Sequence, residues 1–206
     1  MIINISGPAG SFKSTTCKAI KDEFRAHLFE ERFRANPYWQ DLYKGKNVFN
    51  FQISSMTNYV EDLTGLDGYT KELNPSGDIA VLDCCFYVLP YLVSQHRAGL
   101  ITNIDFTEYL RRWRVFRHLF RYQLSQMKNF ILTSTPKKLL KNIKSRGREE
   151  EKGVDINFVR NLNNLFTSNE NLDSYLIKKD VDIVDVSSLK KGEIPKEIRS
   201  YIESNL

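Results

Sequence analysis

The chain has little cysteine: three residues in 206. Cys84 and Cys85 are adjacent and Cys17 stands apart, so no disulfide framework is laid out, and no CxxC or Cys/His spacing suits zinc. No run of about 18 apolar residues occurs, which excludes a membrane-spanning helix. No basic leader with an apolar stretch and a small-residue cleavage site precedes the first strand pattern, so the expectation is a cytoplasmic protein. Internal repeats, low-complexity segments and an interdomain linker are also lacking. What remains is ordinary globular composition, 41% hydrophobic and 27% charged, over a length that suits a single domain, 1–206.

The formal charge of +5 arises from 30 Lys and Arg against 25 Asp and Glu, spread along the chain without a basic tail. That balance suits a polyanionic small ligand. The densest basic segment carries Arg111, Arg112, Arg114, Arg117 and Arg121. Leu110, Trp113, Phe116, Phe120 and Leu124 recur through it at helical spacing, so it reads as a core stripe with a solvated or dimer-flanking charged face, and nucleic acid is not the expected partner.

The periodicity predicts a strand at Met1–Ser6, a loop at Gly7–Phe12 and a helix from Lys13 to about His27. A short strand at His27–Glu31 and helices at Tyr38–Tyr43 and Val48–Leu63 follow, Pro37 restarting the chain. Asn74-Pro75-Ser76-Gly77 marks a turn before a buried strand, Asp78–Asp83, that ends in a carboxylate. Helices are expected at Phe86–Ala98, Phe106–Met127, Pro136–Lys144, Ile156–Phe166 and Pro195–Ile202, and strands at Phe130–Thr133 and Val181–Val186. Strands alternating with helices predict an α/β fold of three layers, a central parallel sheet of about five strands flanked by helices, with ligands bound beyond the carboxyl ends of the strands.

Three constellations carry chemistry. Gly7-Pro8-Ala9-Gly10-Ser11-Phe12-Lys13-Ser14-Thr15 compares with the phosphate-loop pattern GxxxxGK[ST], in which backbone N–H groups cradle phosphates at a helix N-terminus, the lysine neutralises the outer phosphates and the hydroxyl ligates magnesium. Gly7, Gly10, Lys13, Ser14 and Thr15 are the candidate phosphate-binding residues. Phe12 occupies the second glycine; keeping the usual left-handed geometry there costs about 1–2 kcal/mol, and Gly10 offers an alternative bend. Next, Glu30-Glu31 follows the second strand, where a carboxylate near the phosphate loop can accept the proton of an attacking hydroxyl, or is simply an exposed acidic pair. Last, Arg146-Gly147-Arg148-Glu149-Glu150-Glu151 makes a charged segment at about 145–153 that is either a lid over a triphosphate or a solvated helix end.

In order and spacing these segments resemble the deoxynucleoside kinase family, from the phosphate loop to the helix after Gly153. Glu31 stands five residues before Asn36-Pro37, and the resemblance implies that it is the catalytic base. It also implies that Tyr43 bonds the sugar 3′-hydroxyl, that Phe51 lines the base site and that Gln52 bonds the nucleobase edge. Arg146 and Arg148 match the lid arginines that contact phosphates, and Glu151 the glutamate that meets the 3′-hydroxyl. Asp83-Cys84-Cys85 lies where the family has acid, arginine and serine, so Asp83 assists Ser14 with magnesium while Cys84 replaces a positive charge. The implied reaction is ATP-dependent phosphorylation of a deoxynucleoside at its 5′-hydroxyl, with Mg2+, ATP or another nucleoside triphosphate as donor, and a homodimer through the long helices. Two alternatives stay open: a deoxynucleoside monophosphate kinase using Arg32 or Arg34, and a non-catalytic nucleotide-binding regulatory subunit, suggested by Phe12 and Cys84.

Overall fold

The computed structural model describes residues 1–42, 44–72, 78–83, 89–168 and 181–206. Five strands form one sheet: β1 Ile2–Ser6, β2 His27–Phe29, β3 Ala80–Asp83, β4 Met127–Thr133 and β5 Val181–Asp185. Their order is β2-β3-β1-β4-β5, with every neighbouring pair parallel. β1 and β3 are buried along their whole length, as expected of strands covered on both faces. The described helices are α1 Lys13–Phe24, α2 Trp39–Leu42, α3 Val48–Glu72, α4 Leu89–Arg97, α5 Asn103–Leu119, α6 Arg121–Ser125, α7 Pro136–Ser145, α8 Ile156–Thr167 and α9 Lys196–Glu203.

The two faces of the sheet pack separate cores. On one, Ile2, Leu82 and Ile131 meet Met56, Leu63 and Leu66 of α3, Tyr109, Trp113 and Phe116 of α5, and Phe166 of α8. On the other, Ile3, Ile5, Val81 and Leu132 meet Cys17 and Ile20 of α1 with Ile198 and Ile202 of α9. Strand alternation produces this division, since successive side chains point to opposite faces. The layered α/β architecture expected from the sequence is therefore the one observed.

Boundaries differ where tertiary pairing or capping overrides local pattern. α1 stops at Phe24 because Arg25 turns left-handed at φ 54 and Ala26 N–H bonds Lys21 O. α3 runs past the expected Leu63 to Glu72, its apolar stripe continuing to Leu66 against the core. α5 begins at Asn103, three residues before the expected start, because the Thr102 hydroxyl caps it by accepting from Asp105 N–H. The long helix expected to Met127 breaks at Phe120 and ends at Ser125, and Met127 instead pairs with Ile2 as the first residue of β4. The Asn74–Gly77 turn and Phe86–Val88 lie outside the described residues.

The basic segment keeps its predicted inward stripe, and Arg111 and Arg112 both donate to the Glu108 carboxylate. The outward face carries Ile104, Val115, Leu119 and Tyr122, each more than half exposed. By helical spacing Glu108, Arg111 and Arg112 share that face, so it mixes exposed apolar and charged side chains.

The end of β5 is fastened to α7 by one lysine. Lys138 Nζ donates to the carbonyls of Val186, Ser187 and Leu189 at 3.3, 2.5 and 2.7 Å. Replacing Lys138 by Met is expected to leave these acceptors without their donor and to cost about 1–3 kcal/mol, read as a lower midpoint in urea denaturation.

Candidate active site

The phosphate loop sits between the end of β1 and the start of α1, at the carboxyl edge of the sheet. Two glycines are required by close approach as well as by φ. At Gly7, φ 143, an added Cβ would lie 2.2 Å from Leu132 O, and at Gly10, φ 85, 2.5 Å from Leu139 O. The loop is therefore pressed between β4 and α7. Asn142 of α7 also holds it, donating through Nδ2 to Gly10 O at 2.8 Å.

Phe12 adopts φ 65, ψ 15 and itself supplies the left-handed residue at the start of α1. Gly10 does not substitute for the missing glycine; both residues are left-handed. The aromatic ring offsets part of the strain: it packs on the second core, and Lys138 Nζ lies 5.5 Å from its centroid. Lys13 Nζ donates to Pro8 O at 3.0 Å, folded back on the loop it serves. The Thr15 hydroxyl donates to Phe12 O at 2.8 Å, fixing the turn.

Parallel pairing sets Asp83 opposite Ile5, beside this loop. Burial raises its pKa above the usual value, opposed by the neighbouring Ser14 hydroxyl and by Lys13 and Lys18 and reinforced by Glu30. Asp83 is 7% exposed, and its Oδ1 has no hydrogen-bond partner. A buried acceptor of this kind beside a serine hydroxyl fits a hard cation, which takes few protein ligands when phosphates supply the rest. Among the described residues no group of three or more His, Cys, Asp and Glu is placed to hold a metal, so a cation here would rely on that small set.

β2 brings the acidic pair to the same edge, since Phe29 pairs with Leu82 one residue before Asp83. Glu31 is half-buried just beyond the strand. Glu30, which the spacing argument passed over, meets Lys18 at 3.6 Å and acts electrostatically on Asp83. Arg32 turns the other way: it bonds Glu61 at 2.9 Å, Asp62 at 2.7 Å and the carbonyl of Asn58 on α3. Its guanidinium is thereby engaged by two carboxylates and a carbonyl of α3. Arg34 reaches Glu150 at 3.7 Å, linking this segment to the lid.

Asn36 explains the Asn-Pro signature structurally. Only 4% exposed, it donates to Phe51 O at 2.9 Å and Ser55 Oγ at 3.2 Å, and accepts from Tyr38 N–H. This docks the segment after β2 onto α3, where Phe51 and Gln52 are both buried, at 8% and 2% exposure. Tyr43 and Cys84 lie outside the described residues.

The lid follows α7. Arg146 and Arg148 both donate to Glu151 Oε1, at 3.0 and 3.5 Å, from either side of Gly147 at φ 63. Glu151 is 7% exposed and its Oε2 has no hydrogen-bond partner. The segment expected as a lid or a solvated helix end is thus an ordered turn with a buried ionic centre. Lys138, Asn142 and Arg146 recur every fourth residue, so one face of α7 and its cap joins the β5 loop, the phosphate loop and the lid. Sequence spacing signals that stripe, but contact alone reveals its role.

This arrangement of loop, edge carboxylates and lid agrees with comparison to known proteins. A deoxynucleoside kinase family model matches residues 3–203. The chain belongs to the deoxynucleoside kinase family. A deoxyadenosine kinase of Dictyostelium discoideum is 25% identical over 165 residues, covering 80% of this chain and 64% of that protein; the chain thus spans less than two thirds of that relative's length. Among solved structures, deoxyadenosine kinase from M. mycoides with dCMP and a flexible dCDP bound superposes with TM-score 0.77 at 21% identity, covering 99% of this chain and 100% of that one. The same protein with dATP gives TM-score 0.73 at 21% identity over 98% and 99% of the two chains. These likenesses support the fold.

Two outcomes test the site's physical reading. Phe12→Gly is expected to be about 1 kcal/mol more stable than Phe12→Ala, because both lose the ring and only alanine retains the left-handed strain; calorimetric midpoints separated by about 2–4 °C would register it. For Asp83, a folded-state pKa above the unfolded one means that its ionised form opposes folding at pH values above the carboxylate range. Asp83→Asn is therefore expected to match or exceed the wild-type thermal midpoint at pH 7 while losing catalytic activity.

Proposed function

We propose that this kinase-family chain transfers the γ-phosphoryl group of a nucleoside triphosphate, ATP in the simplest case, to the 5′-hydroxyl of a deoxynucleoside, in cytoplasmic nucleotide salvage. The observation that carries this reading is the glycine loop at the end of β1 with the buried Asp83 carboxylate beside it, in a chain that matches the family from 3 to 203.

In this reading the donor's phosphates lie on the Gly7–Thr15 loop, where Lys13 leaves Pro8 O to meet them, and Ser14 and Asp83 hold Mg2+. Held there, the cation would supply neutralisation of the phosphate charge. Glu31 accepts the 5′-hydroxyl proton as the oxygen–phosphorus bond forms and the bond to the leaving diphosphate breaks. Arg146 and Arg148 exchange Glu151 for phosphate oxygens, and Glu151 then meets the 3′-hydroxyl together with Tyr43. Phe51 and Gln52 contact the nucleobase. Capture of Arg32 by Glu61 and Asp62 favours a nucleoside over a nucleoside monophosphate as acceptor. The exposed Val115 and Leu119 on the outer face of α5 support a homodimer.

The purified protein with Mg-ATP and each deoxynucleoside is expected to form the monophosphate. Glu31→Gln is expected to lower kcat about 10²–10⁴-fold, with Glu30→Gln changing it less. Monophosphate substrates consumed in preference to nucleosides would replace this reading with the monophosphate kinase, and nucleotide binding without turnover of either would replace it with the regulatory subunit. For the dimer, Val115→Lys with Leu119→Lys is expected to shift the sedimentation coefficient to that of a monomer.

A further inference from the structure

The described inward stripe of α3 buries two polar side chains, of which Ser55 is bonded to Asn36 and to the Phe51 carbonyl. Val48, Met56, Leu63 and Leu66 are all less than a tenth exposed, and Gln52 lies among them at 2%. Its amide satisfies only part of its hydrogen-bonding capacity within the protein: Nε2 donates to Gln95 Oε1 at 2.8 Å, while Oε1 is buried with no partner. A leucine or methionine would fill the same stripe without stranding a carbonyl, so packing does not account for the glutamine. A buried acceptor without a donor is a site for a ligand's N–H.

Two glutamine amides can pair in either sense. With Gln52 as donor, its carbonyl is left over; with Gln52 as acceptor, its NH2 is left over. Gln95 therefore decides which group the site presents. Its backbone occupies a fixed place, because the Gln95 main-chain carbonyl accepts from Leu100 N–H at 3.0 Å. Its neighbour His96 bonds Asn103 Oδ1 at 2.8 Å and stacks on Phe106 at 4.2 Å, pinning the end of α4 to the start of α5.

We propose that Gln95 is a specificity-determining residue that holds the Gln52 carbonyl as the buried acceptor, so that the site selects a nucleobase bearing an exocyclic amine, adenine or cytosine, over its keto counterpart. The proposal rests on the reading of Gln52 as a nucleobase contact. An amine donates to the stranded carbonyl, whereas a keto oxygen in the same place sets acceptor against acceptor. Gln95 acts through Gln52 and is 43 residues away from it in sequence.

The test compares deoxyadenosine with deoxyinosine, and deoxycytidine with deoxyuridine, each pair exchanging an amine for a carbonyl at one carbon. Calorimetric binding and kcat/KM are read in parallel, so that the preference is measured even without turnover. Wild type is expected to favour the amine of each pair that binds by about tenfold or more. Gln95→Glu can only accept, keeps the Gln52 amide in its present sense, and is expected to retain that preference. Gln95→Lys can only donate, turns the Gln52 NH2 outward, and is expected to lower the preference by at least about tenfold, towards the keto base. Gln95→Leu fixes neither sense and is expected to bring the ratio towards unity, which supplies the comparison if the lysine variant does not fold. Binding of the nucleosides without amine preference in wild type, or an unchanged ratio in the lysine or leucine variant, overturns the inference while leaving the kinase reading intact. Binding of none of the four overturns the nucleobase assignment of Gln52 and the inference with it.

Discussion

The site depends on a left-handed turn wedged between two elements far away in sequence. The backbone of the phosphate loop approaches Leu132 O of β4 and Leu139 O of α7 so closely that no side chain fits at Gly7 or Gly10. The turn aims the first N–H groups of α1 out of the carboxyl edge, and an anion can be held there only if the loop does not relax. Parallel pairing of β1 with β3 and β4 supplies that rigidity, and Asn142 adds a tether from 132 residues away. In the proposed reaction, Asp83, Glu31, Arg146 and Arg148 act beside a loop that stays in place.

Phe12 shows how such a constraint tolerates an unsuitable residue. A side chain at φ 65 is strained, but neighbouring strands and helices fix the conformation, and a phenyl ring recovers part of the loss against Lys138 and the second core. The same lysine gathers three carbonyls after β5. The departure from the phosphate-loop pattern is thus absorbed by a contact between the loop and the C-terminal end of the sheet, and the usual backbone geometry is kept.

Charge in the site is arranged in opposed pairs. Lys13 rests on a carbonyl, Arg146 and Arg148 share Glu151, and Lys18 faces Glu30. In the proposed reaction these cations exchange partners when phosphate arrives, which costs less reorganisation than ordering free side chains. Arg32 follows the same rule with a different result, since its carboxylate partners lie on α3 and draw it outward.

The sequence by itself determined the local elements: the strand, glycine loop and helix at the start, the buried strand ending in Asp83, and the arginine-rich turn after α7. Each is legible because periodicity, glycine and capping act within a few residues. Even there, Met127 departs from the helix that its spacing predicts, because its strand state exists only through pairing with Ile2. Tertiary structure alone decided the strand order, the left-handed state of Phe12, the capture of Arg32, and the partnerships of Gln52 with Gln95 and Gly10 with Asn142. These contacts join residues separated by tens of positions, and their energies appear only once burial has brought the partners together and removed competing water.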